Sequence, residues 1–360
     1  MRTFFIFTLA VAVARAAVAP SPEQFTPKER AQRFSDRVIL AKPKAQQRAA
    51  VDAAETRERV RIRNKFSRLG DVRVIEVDAH ETVAQAIERL QATGRYEFVE
   101  PDFIEMPDAA PNDASFPSQW ALNNTGQLTG STPGVDIKAV PAWDIIREAP
   151  DVVVAVVDNG ININHRDIAP NLWRNPAPTF GDINGAAFVR GVRSGNIADQ
   201  TGHGTHVAGI IGAVGNNTFN ISGIAWRVQL MALKKSDASG ASSASDSAAC
   251  IDYAVSQGAH VINCSFGGVG FSQTFVTALR AAREAGVIVV ASAGNEAANV
   301  DESAHFPSNY LLDNIVSVGS SRPTDLPSGS SAFGGLVDLF APGISILSLD
   351  LTTWRRLSGP

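Results

Sequence analysis

Cysteine is almost absent: the 360 residues contain only Cys250 and Cys264. Nothing around them has the spacing of zinc ligands, which excludes a recognisable zinc motif. Cys250 falls in a helical pattern and Cys264 in a buried-strand pattern, so both read as small core hydrophobes. A disulfide between them stays open, because sequence does not supply the Cα separation it needs. A surplus of either charge is also lacking. Lys and Arg number 32 against 36 Asp and Glu, a net charge of -4 with 19% charged residues. That excludes the basic footprint of nucleic-acid or acidic-membrane binding. No segment approaches the roughly 20 unbroken apolar residues of a spanning helix, so no membrane anchor is expected. What is present, 44% hydrophobic residues, suffices for one sizeable core and a smaller domain.

The N-terminus carries an address. Arg2 supplies a positive charge, residues 4–14 are apolar, and small residues follow up to Ala19. This is the pattern of a signal peptide over residues 1–19 and implies a secreted protein. After a polar lead, residues from about 37 to 106 alternate strand and helix signals. Strands are expected at 37–40, 65–69, 72–77 and from 98, with helices at 44–60 and around Val83, Ala86, Ile87 and Leu90. The order β-α-β-β-α-β is that of a small α+β ferredoxin-like domain. A turn-rich linker at 107–117 follows. Beyond it, unbroken Val/Ile-rich runs at 152–157, 228–233, 261–264, 287–290 and 315–318 alternate with helical patterns at 206–214, 245–256 and 273–285. Such runs read as parallel strands buried on both faces, hence an α/β domain with a parallel sheet flanked by helices. Sites in these sheets gather at the carboxyl ends of strands.

Three strand or helix ends carry chemistry. The run 152–157 ends at Asp158-Asn159-Gly160. On its own this carboxylate reads best as a turn cap. Then Gly202-His203-Gly204-Thr205-His206 places an imidazole between two glycines as a helix begins, flanks that a structural histidine rarely needs. The strand at 287–290 leads to Gly294-Asn295-Glu296, where an amide can donate to a developing oxyanion. A carboxylate that orients a histidine, a histidine base and an amide donor together match acyl-transfer chemistry.

These segments resemble the subtilisin-like serine proteases, whose catalytic residues run Asp, His, Ser along the chain. V-V-D-N-G resembles the aspartate motif, with Asn159 where Ser or Thr is commoner. G-H-G-T-H-V-A-G matches the histidine motif and S-A-G-N-E the oxyanion-asparagine motif. The resemblance implies Asp158, His203 and Asn295 as catalytic residues and His206 as structural. It implies that Ser265, Phe266 and Gly267 pair with bound peptide on one side and Ser239, Gly240 and Ala241 on the other. Peptide or protein substrates follow, and a monomer is expected. The leading domain, residues 20–108, then resembles an inhibitory propeptide, with processing near 96–113 and the peptidase domain over 109–360. Asp113, Asp167 and Asn217 in the loop 215–221 match places where the family binds structural calcium with oxygen ligands. Asn-x-Ser/Thr sequons stand at Asn123, Asn216, Asn220 and Asn263, the last expected to be buried.

The family's next landmark is an Ala-Pro-Gly turn, met at Ala341-Pro342-Gly343, followed by Ser-Gly-Thr-Ser-Met-Ala with the second Ser as nucleophile. Here Ser358-Gly359 fit its first two positions and Pro360 replaces Thr. Ser358 lies too early to act. The 360 residues are therefore expected to be inactive although their pattern is that of an endopeptidase precursor. The competing reading is a non-catalytic peptide-binding or inhibitory pseudoprotease.

Overall fold

The computed structural model describes residues 34–58, 60–103 and 110–360. The expected signal peptide at 1–19, most of the polar lead and residues 104–109 of the expected processing region lie outside the described residues. Contacts divide the chain into two units, Met1–Pro107 and Asp108–Pro360.

In the first unit, strand β1 (Phe34–Pro43) leads to helix α1 (Arg48–Glu58), then β2 (Ile62–Phe66), β3 (Val72–Glu76), α2 (Val83–Ala92) and β4 (Tyr96–Phe103). The sheet order is β2-β3-β1-β4 and its pairs are antiparallel, which is the split βαβ arrangement. Helix α2 starts at a capping box in which Thr82 and Gln85 satisfy each other's backbone N–H groups. Its buried face is Val83, Ala86, Ile87 and Leu90, packed with Ile39, Ile75 and Val99 of the sheet. One expected strand is displaced. Pairing with β3 takes in residues 62–66, and the expected 67–69 instead form a 3₁₀ turn that ends at Gly70 in the left-handed region.

The second unit begins with a short helix, α3 (Ala139–Trp143), and the long strand β5 (Glu148–Asp158). Then follow β6 (Gly185–Val189), β7 (Val192–Ser194), α4 (His203–Gly212), β8 (Arg227–Lys234), α5 (Ala244–Ser256) and β9 (Val261–Cys264). The chain continues through α6 (Gln273–Glu284), β10 (Ile288–Ser292), β11 (Ile315–Ser321), β12 (Leu339–Pro342), β13 (Ile346–Leu349) and β14 (Trp354–Leu357). Eight strands form one sheet in the order β12-β11-β10-β9-β5-β8-β6-β7, parallel except for the β6–β7 hairpin. Strands β13 and β14 make a separate antiparallel hairpin.

The unbroken apolar runs are explained by which side each residue faces. Val153, Ala155 and Val157 of β5, with Met231 and Leu233 of β8, join a core containing Ile251 and Ala254 of α5 and Leu279 of α6. Val154 and Val156, with Leu230 and Ala232, face the other way, toward Val207 and Ala208 of α4 and Leu347 and Leu349 of β13. Two covered faces leave no polar position in the strand middle. Cys250 and Cys264 lie in the first of these cores as buried free thiols, which closes the disulfide question.

Leu233 is fully buried at the centre of the sheet. Leu233→Ala is expected to lower unfolding stability by about 2–5 kcal/mol through lost transfer energy and a residual cavity. Urea unfolding checks this as a lower midpoint at unchanged slope.

Candidate active site

The site is built where strand β5 stops. Asp158, its last residue, is only 3% exposed, and a buried carboxylate needs hydrogen bonds to stay charged. Nδ1 of His203 lies 2.8 Å from both of its oxygens, and the Asn159 amide donates to Oδ1 at 2.7 Å. A carboxylate only accepts, so Nδ1 carries the proton and Nε2 is left as the basic lone pair. His203 is the first residue of α4, and its side chain is 43% exposed. Asp158 therefore holds the ring while leaving it open to a reactant.

Two glycines permit this approach. A methyl on Gly204 would lie 2.1 Å from the Gly160 carbonyl oxygen and 3.0 Å from Cβ of Asp158, so only a bare Cα lets the helix start touch the strand end. Gly160 itself has φ of 105°, a conformation that favours glycine. Asp199, four residues before His203, shapes the turn between them. Its carboxylate accepts from the amides of Thr201, Gly202 and Thr205 and from the Thr205 hydroxyl. Sequence reasoning passed over Asp199, although an Asp two residues before Thr201 is an Asx-turn signal. Asn159, where the family motif commonly has Ser or Thr, donates to Thr201 Oγ1 at 3.0 Å and accepts from the Ser236 hydroxyl. It thereby ties the ends of β5 and β8 to the turn before α4.

The two histidines of α4 meet opposite environments. The hydrogen bond that His203 donates to Asp158 raises the pKa of His203 above the ordinary histidine value, outweighing burial, and the charges of Asp158 and Asp199 add to it. His206 is 3% exposed, and burial pushes it down to about 4. Its Nε2 donates to the Ile346 carbonyl at 3.2 Å, and the Ser348 hydroxyl donates to the His206 carbonyl, binding α4 to β13.

A cavity of about 400 Å³ opens beside His203, walled by Ile210, Val290, Val318 and Ile346 and rimmed by Ser358 and Gly359. Asn295, exposed after β10, borders this rim: a methyl on Gly359 would lie 3.4 Å from its side-chain oxygen and 3.6 Å from its nitrogen. Ser265 lines the same cavity from the end of β9. Asn263, expected to be buried, is half-buried and also lines it; its side chain accepts from the Ser265 hydroxyl, and a polar cavity wall leaves it partly open. Ser239, Gly240 and Ala241 form an exposed turn after β8. Lys235, unremarked in the sequence, is buried with Nζ 3.9 Å over the Phe266 ring and donating to Ser242 at 2.8 Å, and so links the segments after β8 and β9. Ser358 Oγ accepts from the Ser345 amide, and among the described residues no hydroxyl is hydrogen-bonded to Nε2 of His203.

The remaining candidates meet away from His203. Asp113 accepts from the amide of Asn216 at 2.6 Å, and Asp167 from Nδ2 of Asn217 at 2.8 Å. Burial raises both carboxyls, Asp167 to about 6, with the charge of Asp113 adding to the rise. Among the described residues no three acidic, His or Cys side chains cluster as a metal site. Two carboxylates and the amide oxygen of Asn217 are nevertheless donors of the kind a hard cation takes.

Histidine titration followed by NMR should place the His203 midpoint above 6.5 and that of His206 near 4. Asp158→Asn is expected to lower the His203 midpoint and leave His206 unmoved. The stability contribution of the raised His203 is present below its unfolded value and lost as pH rises through its folded one. The depressed His206 acts oppositely, costing about 3 kcal/mol at pH 4 relative to pH 8, because the unfolded state takes up its proton well above the pH at which the folded state does. Denaturant midpoints across that range check the sign.

Comparison with known proteins agrees with this geometry. The profile of the subtilase family matches residues 149–358. Thermitase from Thermoactinomyces vulgaris is 37% identical over 224 residues, 62% of this chain and 74% of the relative. The cell wall-associated protease of Bacillus subtilis (strain 168) is 31% identical over 269 residues, 74% of this chain, which spans 28% of that relative's length. Among solved structures, a protease of Pseudoalteromonas arctica PAMC 21717 superposes with a TM-score of 0.57 at 26% identity, over 70% of this chain and 82% of that one. A parallel sheet that delivers Asp158 to His203, the motifs around both residues and the matched profile lead to one conclusion: the chain belongs to the subtilase family, the subtilisin-like serine proteases.

Proposed function

We propose that this chain carries the base, the oxyanion donor and the peptide cleft of a secreted subtilisin-like endopeptidase. The observation that carries the reading is the Asp158–His203 pair, 2.8 Å apart at a strand end beside the cavity. Asp158 keeps the proton on Nδ1, so that Nε2 can take a proton from an attacking hydroxyl and later return it to the leaving amine. Asn295 donates its amide N–H groups to the oxyanion that forms on the attacked carbonyl. Substrate lies extended between 239–241 and 265–267, held by main-chain hydrogen bonds largely independent of its side chains. The leading unit, a split βαβ domain placed ahead of the peptidase domain, acts as the propeptide inhibitor. Secretion is supported by the N-terminal apolar address, and a relative is described as cell wall-associated. No helix of the described residues is long and apolar enough to cross a membrane.

The polypeptide of residues 1–360 does not turn over peptides by itself on this reading, because no hydroxyl is hydrogen-bonded to Nε2 of His203 among its described residues. In subtilisin, loss of the nucleophilic serine alone costs about 10⁶ in kcat. Incubation of the purified 360-residue polypeptide with a fluorogenic peptide should give no signal that a serine-directed phosphonate removes. Phosphonate-sensitive turnover would overturn this expectation.

We further propose calcium as a structural ion held by Asp113, Asp167 and the side-chain oxygen of Asn217 with nearby loop carbonyls. Two crowded, buried carboxylates gain from a hard cation what burial otherwise takes from their charged forms. Calcium at a hundred times its Kd should stabilise the fold by about 2.7 kcal/mol. Chelation should lower Tm in the native protein and leave Asp167→Ala unchanged; a native Tm indifferent to calcium refutes the assignment.

A further inference from the structure

Two adjacent arginines on the β13–β14 hairpin play no part in the base, the oxyanion donor or the main-chain pairing described above. Arg355 and Arg356 stand on β14 opposite Ser348 and Leu347 of β13, so their side chains leave on opposite faces. Arg356 donates to the Ser345 carbonyl at 2.8 Å and to the Ser118 carbonyl at 3.2 Å, and so braces the segment after β12. Arg355 turns instead to the start of α4. Its Nη2 donates to the Thr201 carbonyl at 3.0 Å, in the turn that Asp199 organises.

The fit against that turn is close. A methyl on Gly202 would fall 2.2 Å from Oδ1 of Asp350, 3.0 Å from Nη2 of Arg355 and 3.3 Å from its Cζ. Gly202 has φ of 80° and caps α4 directly before His203. Its bare Cα thus receives Asp350 and Arg355, whose 3.7 Å separation is an ion pair rather than a hydrogen bond. Nη2 therefore makes the directional contact, while Nε of Arg355 is buried without a hydrogen-bond partner. The hairpin that carries both residues is itself pinned: Nδ2 of Asn162 donates to the Leu351 carbonyl at 2.6 Å, and the Ser348 hydroxyl to the His206 carbonyl. A cation beside a helix N-terminus opposes the helix dipole, so Arg355 gains nothing from α4 itself. What holds it is the turn carbonyl and Asp350.

The charges around His203 come from several elements. Asp158 at the end of β5 and Asp199 in the turn favour its protonated form. His206, on the same helix, is kept neutral by burial. Lys234 and Lys235 at the end of β8 act on Asp199 and Asp158. Arg355 is the cation that opposes protonation of the ring. With the two carboxylates alone the imidazole would hold its proton to higher pH, and a base already protonated accepts nothing.

We infer that Arg355 is a positioning residue for His203: its guanidinium clamps the turn that presents the imidazole, and its charge, moderated by Asp350, keeps Nε2 free to accept a proton. This inference rests on the reading of His203 as the base.

The test is histidine titration by NMR on the 360-residue protein and its variants. Arg355→Met keeps the apolar stem and removes charge and donors; it should raise the His203 midpoint by about half a unit or more. Exchange of the Gly202 and Thr205 amides, which donate to Asp199, should accelerate in the same variant. Arg355→Lys keeps the charge and should return at least about half of the shift. Arg356→Met removes an equal charge from the other face and should leave the midpoint within about 0.2 unit of native. Asp350→Asn, which frees Arg355 of its counter-ion, should lower the midpoint, and it keeps the inference open to refutation if Arg355→Met does not fold. An unmoved or lowered midpoint, or unchanged amide exchange, in folded Arg355→Met overturns the inference. So does an equal rise in Arg356→Met, an Arg355→Lys midpoint no nearer to native than that of Arg355→Met, or a midpoint that Asp350→Asn fails to lower. If Asp158→Asn leaves the His203 midpoint unmoved, the reading of His203 as the base fails and this inference falls with it.

Discussion

Asp158 is a carboxylate buried at the end of a strand whose other residues face two hydrophobic cores, and the surrounding structure answers to that fact. A charge with 3% exposure persists only if hydrogen bonds replace water, and His203 and the Asn159 amide supply them. To bring His203 there, the start of α4 must touch the end of β5, which requires the bare Cα of Gly204 against the Gly160 carbonyl. The turn that feeds the helix is in turn organised by Asp199, whose two oxygens gather five N–H and O–H donors. The hydrogen-bonded Asp158–His203 pair, the glycines and the turn form one dependent set.

The same helix shows how environment divides two identical side chains. His203 and His206 stand three residues apart. One is raised by a carboxylate and left 43% open; the other is sealed against β13 and kept neutral by burial. The first is fitted to exchange protons and the second to hold the β13–β14 hairpin onto α4. Lys235 performs a comparable structural task between the segments after β8 and β9, where its ammonium lies over Phe266 and donates to Ser242.

Much of this was legible before any coordinates. Unbroken Val/Ile runs report strands covered on both faces, and each expected strand of the parallel sheet overlaps an observed one. The helix expected from 206 starts at 203, because the glycine-flanked His203 already belongs to its first turn. Asp113 and Asp167, far apart in the chain, do converge on the loop that contains Asn217. Other features gave no local signal. The hairpins β6–β7 and β13–β14 are short, half-exposed and without a long apolar period, so their pairing depends on the neighbours that receive them. Arg355 has no motif around it. Its place against Gly202 follows from the packing of the β13–β14 hairpin on α4.

Sequence by itself determined the covalent order of the chemistry: a strand ending in Asp158, a helix opening with His203 and a strand leading to Asn295. It could do so because hydrophobic period and glycine placement are local properties, written within a few residues of each functional group. Only tertiary structure decided how those groups are tuned. The raised His203 and the depressed His206 depend on what packs against each ring, and those neighbours come from strands and turns distant in the chain. Burial and partner charge are sums over surroundings, and a linear sequence does not contain them until it has folded.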